Sequence, residues 1–150
     1  MPEPIDRRFP TVTQPGPWIA FTIVIAVLYA AVGIVFAVPA THVQLWRLAA
    51  WLVSSVAYGA HIAHERFRLR NNPLTAAMHV ALGAALGAFG LAVGANVHAW
   101  VTASPDARRG LLLIALLLWP VITFIPAFIV ALALSAVMLW AFKPSEPPKP

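Results

Sequence analysis

Four long apolar blocks constrain the fold of this 150-residue chain more than any other feature of its sequence. They cover residues 18–38, 43–64, 73–100 and 111–142. Each has at least the roughly 20 residues that an α-helix needs to cross the hydrocarbon core of a bilayer. The chain is 61% hydrophobic and 10% charged, whereas a soluble domain has about 25% charged residues. The sequence therefore predicts an all-α integral membrane protein with four transmembrane helices in an up-down bundle.

The segments outside these blocks are short, and both ends of the chain are rich in proline. Residues 1–16 predict a disordered N-terminal tail, and residues 143–150 predict a proline-rich C-terminal tail. Residues 17–142 then form one transmembrane domain. The first block is too long for the apolar region of a signal peptide and is predicted to remain as a span.

Two helix starts are marked by an N-cap residue followed by proline. Asn72-Pro73 precedes the third helix, and the segment Ser104-Pro105-Asp106 precedes the fourth. The fourth block would be about 48 Å long as a helix, which is too long for one upright crossing. Because Pro120 and Pro126 lie inside it, the sequence predicts one long helix that is proline-kinked or tilted.

The basic residues predict the orientation of the bundle. If the N-terminus is cytoplasmic, seven Lys and Arg residues lie on the cytoplasmic side and three on the other. The larger set is Arg7, Arg8, Arg66, Arg68, Arg70, Lys143 and Lys149, and the smaller set is Arg47, Arg108 and Arg109. The positive-inside rule therefore places both termini in the cytoplasm. The compact, alanine-rich chain is typical of a bacterial inner (plasma) membrane protein.

Several classes of function are disfavoured by what the sequence lacks. No Asp, Glu, Lys or Arg lies near the middle of a predicted span, as proton-coupled and ion-coupled transporters usually require. The chain has no cysteine, so a thiolate metal site is excluded. No basic face with interleaved aromatic residues suggests nucleic-acid binding. The sequence also contains no recognisable nucleophile–base pair, which argues against an enzyme.

Paired histidines provide the main candidate site. The second and third helices form an antiparallel hairpin, in which residues at equal depth have residue numbers that add to the same value. This holds for His61 with His79 and for His42 with His98, so the members of each pair are expected at equal depth. His64 follows His61 by about one turn and adds a possible third ligand. Imidazole is the usual axial ligand of a b-type haem and also binds divalent metals. This arrangement over residues 42–98 is similar to that of four-helix membrane b-type cytochromes, although no family motif accompanies it.

A line of small residues on the third helix suggests a packing surface. Its four glycines share one helical face with His79 and His98, because all six residues fall within about 100° around the helix axis. The glycines are Gly83, Gly87, Gly90 and Gly94, and we call them the glycine seam. Such a seam admits a porphyrin edge, but it is more often the contact surface of another helix. Asn96, near the end of this helix, is expected to bond a neighbouring helix.

The loop after the second helix carries alternating arginines. Arg66, Arg68 and Arg70 predict a patch that either anchors to anionic headgroups or docks a partner.

Three functions remain open. The first is a non-catalytic subunit that packs in or stabilises a larger membrane complex, through other subunits or through self-association. The second is a haem b or metal-binding electron carrier that uses His61, His79 and His64, with His42 and His98 as an outer pair. The third is an oligomeric channel or small-solute facilitator, which the lack of a polar stripe disfavours.

Overall fold

The computed structural model describes residues 16–102 and 106–141, and these residues form helices without any strand. Four α-helices follow one another: α1 Pro17–Val35, α2 Val43–Ala63, α3 Pro73–Val101 and α4 Asp106–Ala141. A π-helical turn, His64–Arg68, extends α2 before the chain reverses into α3. The all-α prediction is confirmed. The predicted tails lie largely outside the described residues, as does the Ser104-Pro105 pair.

Three of the four helices are long and apolar enough to cross a membrane. These segments are Trp18–Val35, Pro73–Val101 and Arg109–Ala141. Helix α2 is long enough but less apolar, because Gln44, Arg47 and His61 lower its hydropathy. The chain thus has the composition of an integral membrane protein.

The helix ends differ from the predicted ones where turn chemistry intervenes. Helix α1 ends at Val35 rather than at residue 38. The amides of Ala37 and Val38, which precede Pro39, donate to carbonyls three residues back instead of four. Helical backbone dihedrals are unfavourable for the residue that precedes a proline. The N-cap at Asn72 is confirmed, since its side-chain oxygen accepts a hydrogen bond from the Thr75 amide at 2.8 Å.

Helix α4 begins at Asp106 and runs for 36 residues. This start agrees with the predicted helix start at Ser104-Pro105-Asp106 and lies five residues before the apolar block. It is one continuous element that contains both Pro120 and Pro126. Its length is about 54 Å.

Contacts between the helices define their directions. Along the glycine seam of α3, Gly83, Gly87, Gly90 and Gly94 lie against Thr22, Ala26, Ala30 and Ile34 of α1, respectively. The index offset stays almost constant, so α1 and α3 run parallel. By contrast, Asn96 meets Leu112 of α4 while Ala77 packs near Ala131, so α3 and α4 run antiparallel. The start of α1, the α2–α3 turn and the end of α4 therefore lie at one end of the molecule, here called the hairpin end.

Helix α3 forms the centre of the molecule and packs mainly against α1 and α4. Its buried side is made of alanine, glycine, Val80 and Asn96. Asn96 donates one hydrogen bond to the Leu112 carbonyl of α4 at 2.8 Å, which confirms the expected contact with a neighbouring helix. Small residues let the flanking helix backbones approach closely, which is the usual basis of packing in membranes.

Among the described residues, helix α2 is buried only near its C-terminal end. Its buried residues are Ala57, His61 and Ile62, and the Tyr58 hydroxyl donates to the Ala127 carbonyl of α4. Residues 43–48 are all exposed. Six consecutive residues cover the whole circumference of a helix, so the first part of α2 is exposed on every side. Its Trp46 ring still meets the edge of Phe36, with ring centroids 5.6 Å apart.

Candidate functional site

The candidate site is a buried cluster of polar side chains at the hairpin end, and its centre is Glu65. This glutamate lies in the π-helical turn and is completely buried. In that turn the Leu69 amide bonds the His64 carbonyl five residues back, and Asn71 N–H bonds the Glu65 carbonyl. Single π-helical turns are frequent at functional sites. The turn holds the carboxylate inward, between α2 and α3.

One oxygen of this carboxylate is fully engaged. Glu65 Oε2 accepts a hydrogen bond from Asn71 Nδ2 at 2.6 Å and lies 2.9 Å from His79 Nδ1. An ionised carboxylate only accepts hydrogen bonds, so the His79 proton sits on Nδ1 in that state. This contact fixes the imidazole orientation and directs Nε2 away from Glu65. His79 is only partly buried, with 16% of its side chain exposed.

The other oxygen faces an unpaired histidine. Glu65 Oε1 lies 3.9 Å from His61 Nε2, which is too far for a hydrogen bond. Within the described part of the chain, neither Oε1 nor either ring nitrogen of His61 has a hydrogen-bond partner, and both side chains are completely buried. The Thr22 hydroxyl nearby is also buried without a hydrogen-bond partner among the described residues. Unpaired buried polar groups are costly, so a cluster containing several is a candidate binding site.

Aromatic rings of α1 cover the cluster. Trp18 stacks on His79 with ring centroids 4.1 Å apart and planes inclined by 4°. Phe21 stacks on His64 at 3.9 Å and meets the edge of His61 at 5.3 Å. Because α1 and α3 run parallel, the first turn of α1 is placed directly over these histidines. Helix α1 thus shields the cluster from lipid and from water.

The predicted ligand histidines His61, His64 and His79 therefore lie in the same cluster, but His61 and His79 do not face each other directly. His61 and His79 both lie beside Glu65, on its two different oxygens. His64 points to the other side of the turn, against Phe21. Among the described residues, no group of three or more His, Asp or Glu side chains is arranged to hold a metal ion.

The predicted outer pair lies at the opposite ends of α2 and α3 and is exposed. His42 is the N-cap of α2 and has a left-handed backbone, with φ of 54°. His98 lies in the last turn of α3. Neither residue is enclosed by the described part of the fold.

The glycine seam is occupied by α1. A Cβ atom added at Gly87 would lie 2.6 Å from Tyr29 Cβ and 3.2 Å from the Ala26 carbonyl oxygen. A Cβ at Gly83 would meet His61 Cε1 at 3.1 Å. The seam therefore supports close helix packing here, and a porphyrin edge would have to displace α1.

The three loop arginines do not form one patch. Arg66 is half-buried, and its Nη1 donates to the Asn71 carbonyl, which closes the turn. Arg68 and Arg70 are exposed. Arg70 has a left-handed backbone, with φ of 54°, and ends the turn. Only Arg68 and Arg70 present their charge at the surface.

Sequence reasoning missed Glu65 as the centre of the site. The spacing of four residues between His61 and Glu65 places both on one helical face, and this spacing could have indicated an inward carboxylate. The link to Asn71 could not be foreseen, because it depends on the π-helical turn.

Comparisons with known proteins give no family for the chain: no family model matches it, and neither a curated protein nor a solved structure shows significant similarity to it.

Proposed function

We propose that this protein is a non-catalytic subunit of a larger membrane assembly, in which the first part of α2 packs against another protein. The observation that carries the proposal is the exposure of residues 43–48 on every side of that helix. In the proposed topology all four helices cross the membrane, with both termini and the hairpin end in the cytoplasm. The bacterial inner membrane is the proposed location.

The composition of α2 supports a protein neighbour rather than lipid alone. Besides Trp51 and Leu52, which are 74% and 67% exposed, this region exposes Gln44, Arg47 and Ser55. Polar side chains in a membrane helix are favourable when a second helix offers them a hydrogen-bond partner. A lipid-facing helix would gain nothing from them. The described part of this chain supplies no such partner to residues 43–48.

Site-specific photo-crosslinking in native membranes tests the proposal. A benzophenone amino acid at Trp51 of α2 is expected to give one discrete protein adduct, whose mass distinguishes a second copy of this chain from a different subunit. The matched control is the same probe at Val27 of α1, which is 63% exposed and is expected to react with lipid. Protein adducts of equal yield at both sites, or only lipid adducts at Trp51, would contradict the proposal.

A second candidate function, haem or metal binding, has one observation in its favour. The bond from His79 Nδ1 to Glu65 resembles the way in which carboxylates orient metal-ligating histidines and leave Nε2 available. A reducible Soret and α band in the purified protein, lost in His79→Ala and His61→Ala but kept in His98→Ala, would support it. A colourless, metal-free preparation would exclude it.

A further inference from the structure

We propose that the groove beside the π-helical turn is a binding site for one anionic phospholipid. The groove has a volume of about 410 Å³ and is lined by Ala20, Phe21, Val24, His64, Arg68 and Leu69. This volume lies within the range of small-molecule sites, which is roughly 300–1,000 Å³. The inference is independent of the proposed subunit role.

One end of the groove is basic. Arg68 is exposed there, and His64 lies next to it. Stacking against Phe21, with ring planes only 12° apart, fixes the orientation of the His64 ring. A guanidinium forms strong, often bidentate hydrogen bonds with phosphate oxygens. The basic end therefore suits a phosphate group.

No carboxylate of the described chain neutralises this end. Glu65 is the nearest acidic residue in sequence, but it points inward and is held by Asn71 and His79. Arg66, the other arginine of the turn, is committed to the Asn71 carbonyl. Arg68 is thus a surface cation without a described acidic partner, at an end of the molecule where Arg70 is exposed as well.

The other end of the groove is apolar and runs along α1. Phe21 and Val24 lie about one turn apart on that helix, and Val24 is 62% exposed. Since α1 is apolar enough to span the membrane, this strip leads from the basic end toward the hydrocarbon. An acyl chain lying on Phe21 and Val24 would place its phosphate beside Arg68. Basic pockets between membrane helices are known to hold anionic headgroups in this way.

Native mass spectrometry in mild detergent tests the site, with phosphatidylglycerol and phosphatidylcholine of identical acyl chains as probes. The wild-type protein is expected to retain one phosphatidylglycerol in preference to phosphatidylcholine. Arg68→Gln is expected to weaken phosphatidylglycerol retention about fivefold, the effect of one basic residue near a membrane surface. Arg70→Gln removes the same charge from the same loop but lies outside the groove, and is expected to leave retention unchanged.

A second variant separates the groove from general surface charge. Val24→Trp fills the apolar part and keeps every charge, so it is expected to abolish selective retention while thermal unfolding stays near that of the wild type. Equal losses in Arg68→Gln and Arg70→Gln would overturn the proposal. So would equal retention of the two lipids by the wild type, or unchanged retention in a folded Val24→Trp protein.

Discussion

Glu65 shows what burial demands of a single residue in this protein. A carboxylate without water must find its hydrogen bonds inside the fold, and Oε2 finds them in Asn71 and His79. The imidazole of His79 is held in turn under the Trp18 ring. A side chain of the π-helical turn thus fixes the start of α3 and, through a histidine, the start of α1.

Removing this carboxylate should destabilise the hairpin end. Glu65→Ala leaves Asn71 and His79 without their acceptor, and is expected to lower the free energy of unfolding by about 2–3 kcal/mol. Glu65→Gln keeps the shape and one acceptor oxygen, so it should lose less than half as much. Tryptophan fluorescence during unfolding of detergent-solubilised protein by sodium dodecyl sulfate measures both values. If Glu65→Ala unfolds at the wild-type midpoint, the cluster is not a structural link.

The packing of α1 against α3 varies in closeness along the glycine seam. Near the middle of the seam, at Gly87, Tyr29 Cβ and the Ala26 carbonyl of α1 leave no space for a side chain. At Gly94, by contrast, an added Cβ would lie 3.6 Å from Ile34 Cδ1, which is an ordinary contact. The seam itself could be predicted from the spacing of the glycines. Which helix fills it was not predicted, although Thr22, Ala26 and Ala30 of α1 recur at every fourth position and could have indicated α1. The parallel direction of α1 follows from the return of the chain through α2.

Gly87, near the middle of the seam, and Gly94, at its end, should therefore respond differently to substitution by alanine. Gly87→Ala is expected to destabilise the protein by about 1–3 kcal/mol, because Tyr29 and the Ala26 carbonyl must move apart from α3. Gly94→Ala adds the same methyl group to the same helix and is expected to be neutral or slightly stabilising. The same unfolding experiment compares them. Equal effects would mean that α1 does not lie on the seam as described.

The helical class of the whole molecule could be predicted from block length and composition, because a span needs little more than about 20 apolar residues. The start of α4 at Asp106 agrees with the predicted helix start, so Arg108 and Arg109 belong to the helix although they lie outside its apolar block. The partial detachment of α2 could not be predicted at all. It depends on how few of its residues, Ala57, His61 and Ile62, are buried against the other helices.

Whether α2 crosses the membrane is decided by the two loops at its ends. The chain has no cysteine, so Thr41→Cys and Arg70→Cys each introduce one unique thiol, and both positions are exposed. A membrane-impermeant maleimide added to intact cells is expected to label Thr41→Cys only, and to label Arg70→Cys after permeabilisation. Labelling of both thiols from the same side would show that α2 lies along the membrane surface.

The unequal lengths of the parallel helices impose a particular relation to the bilayer. Helix α1 has 19 residues, about 28 Å, while α3 has 29 residues, about 43 Å. Since Ile34 lies beside Gly94, α3 continues for about 10 Å beyond the end of α1, where Asn96 bonds α4. One flank of the protein thus matches a hydrocarbon layer of ordinary thickness, and the other exceeds it. The excess reaches into the headgroup region or is absorbed by tilt or by a locally thickened bilayer.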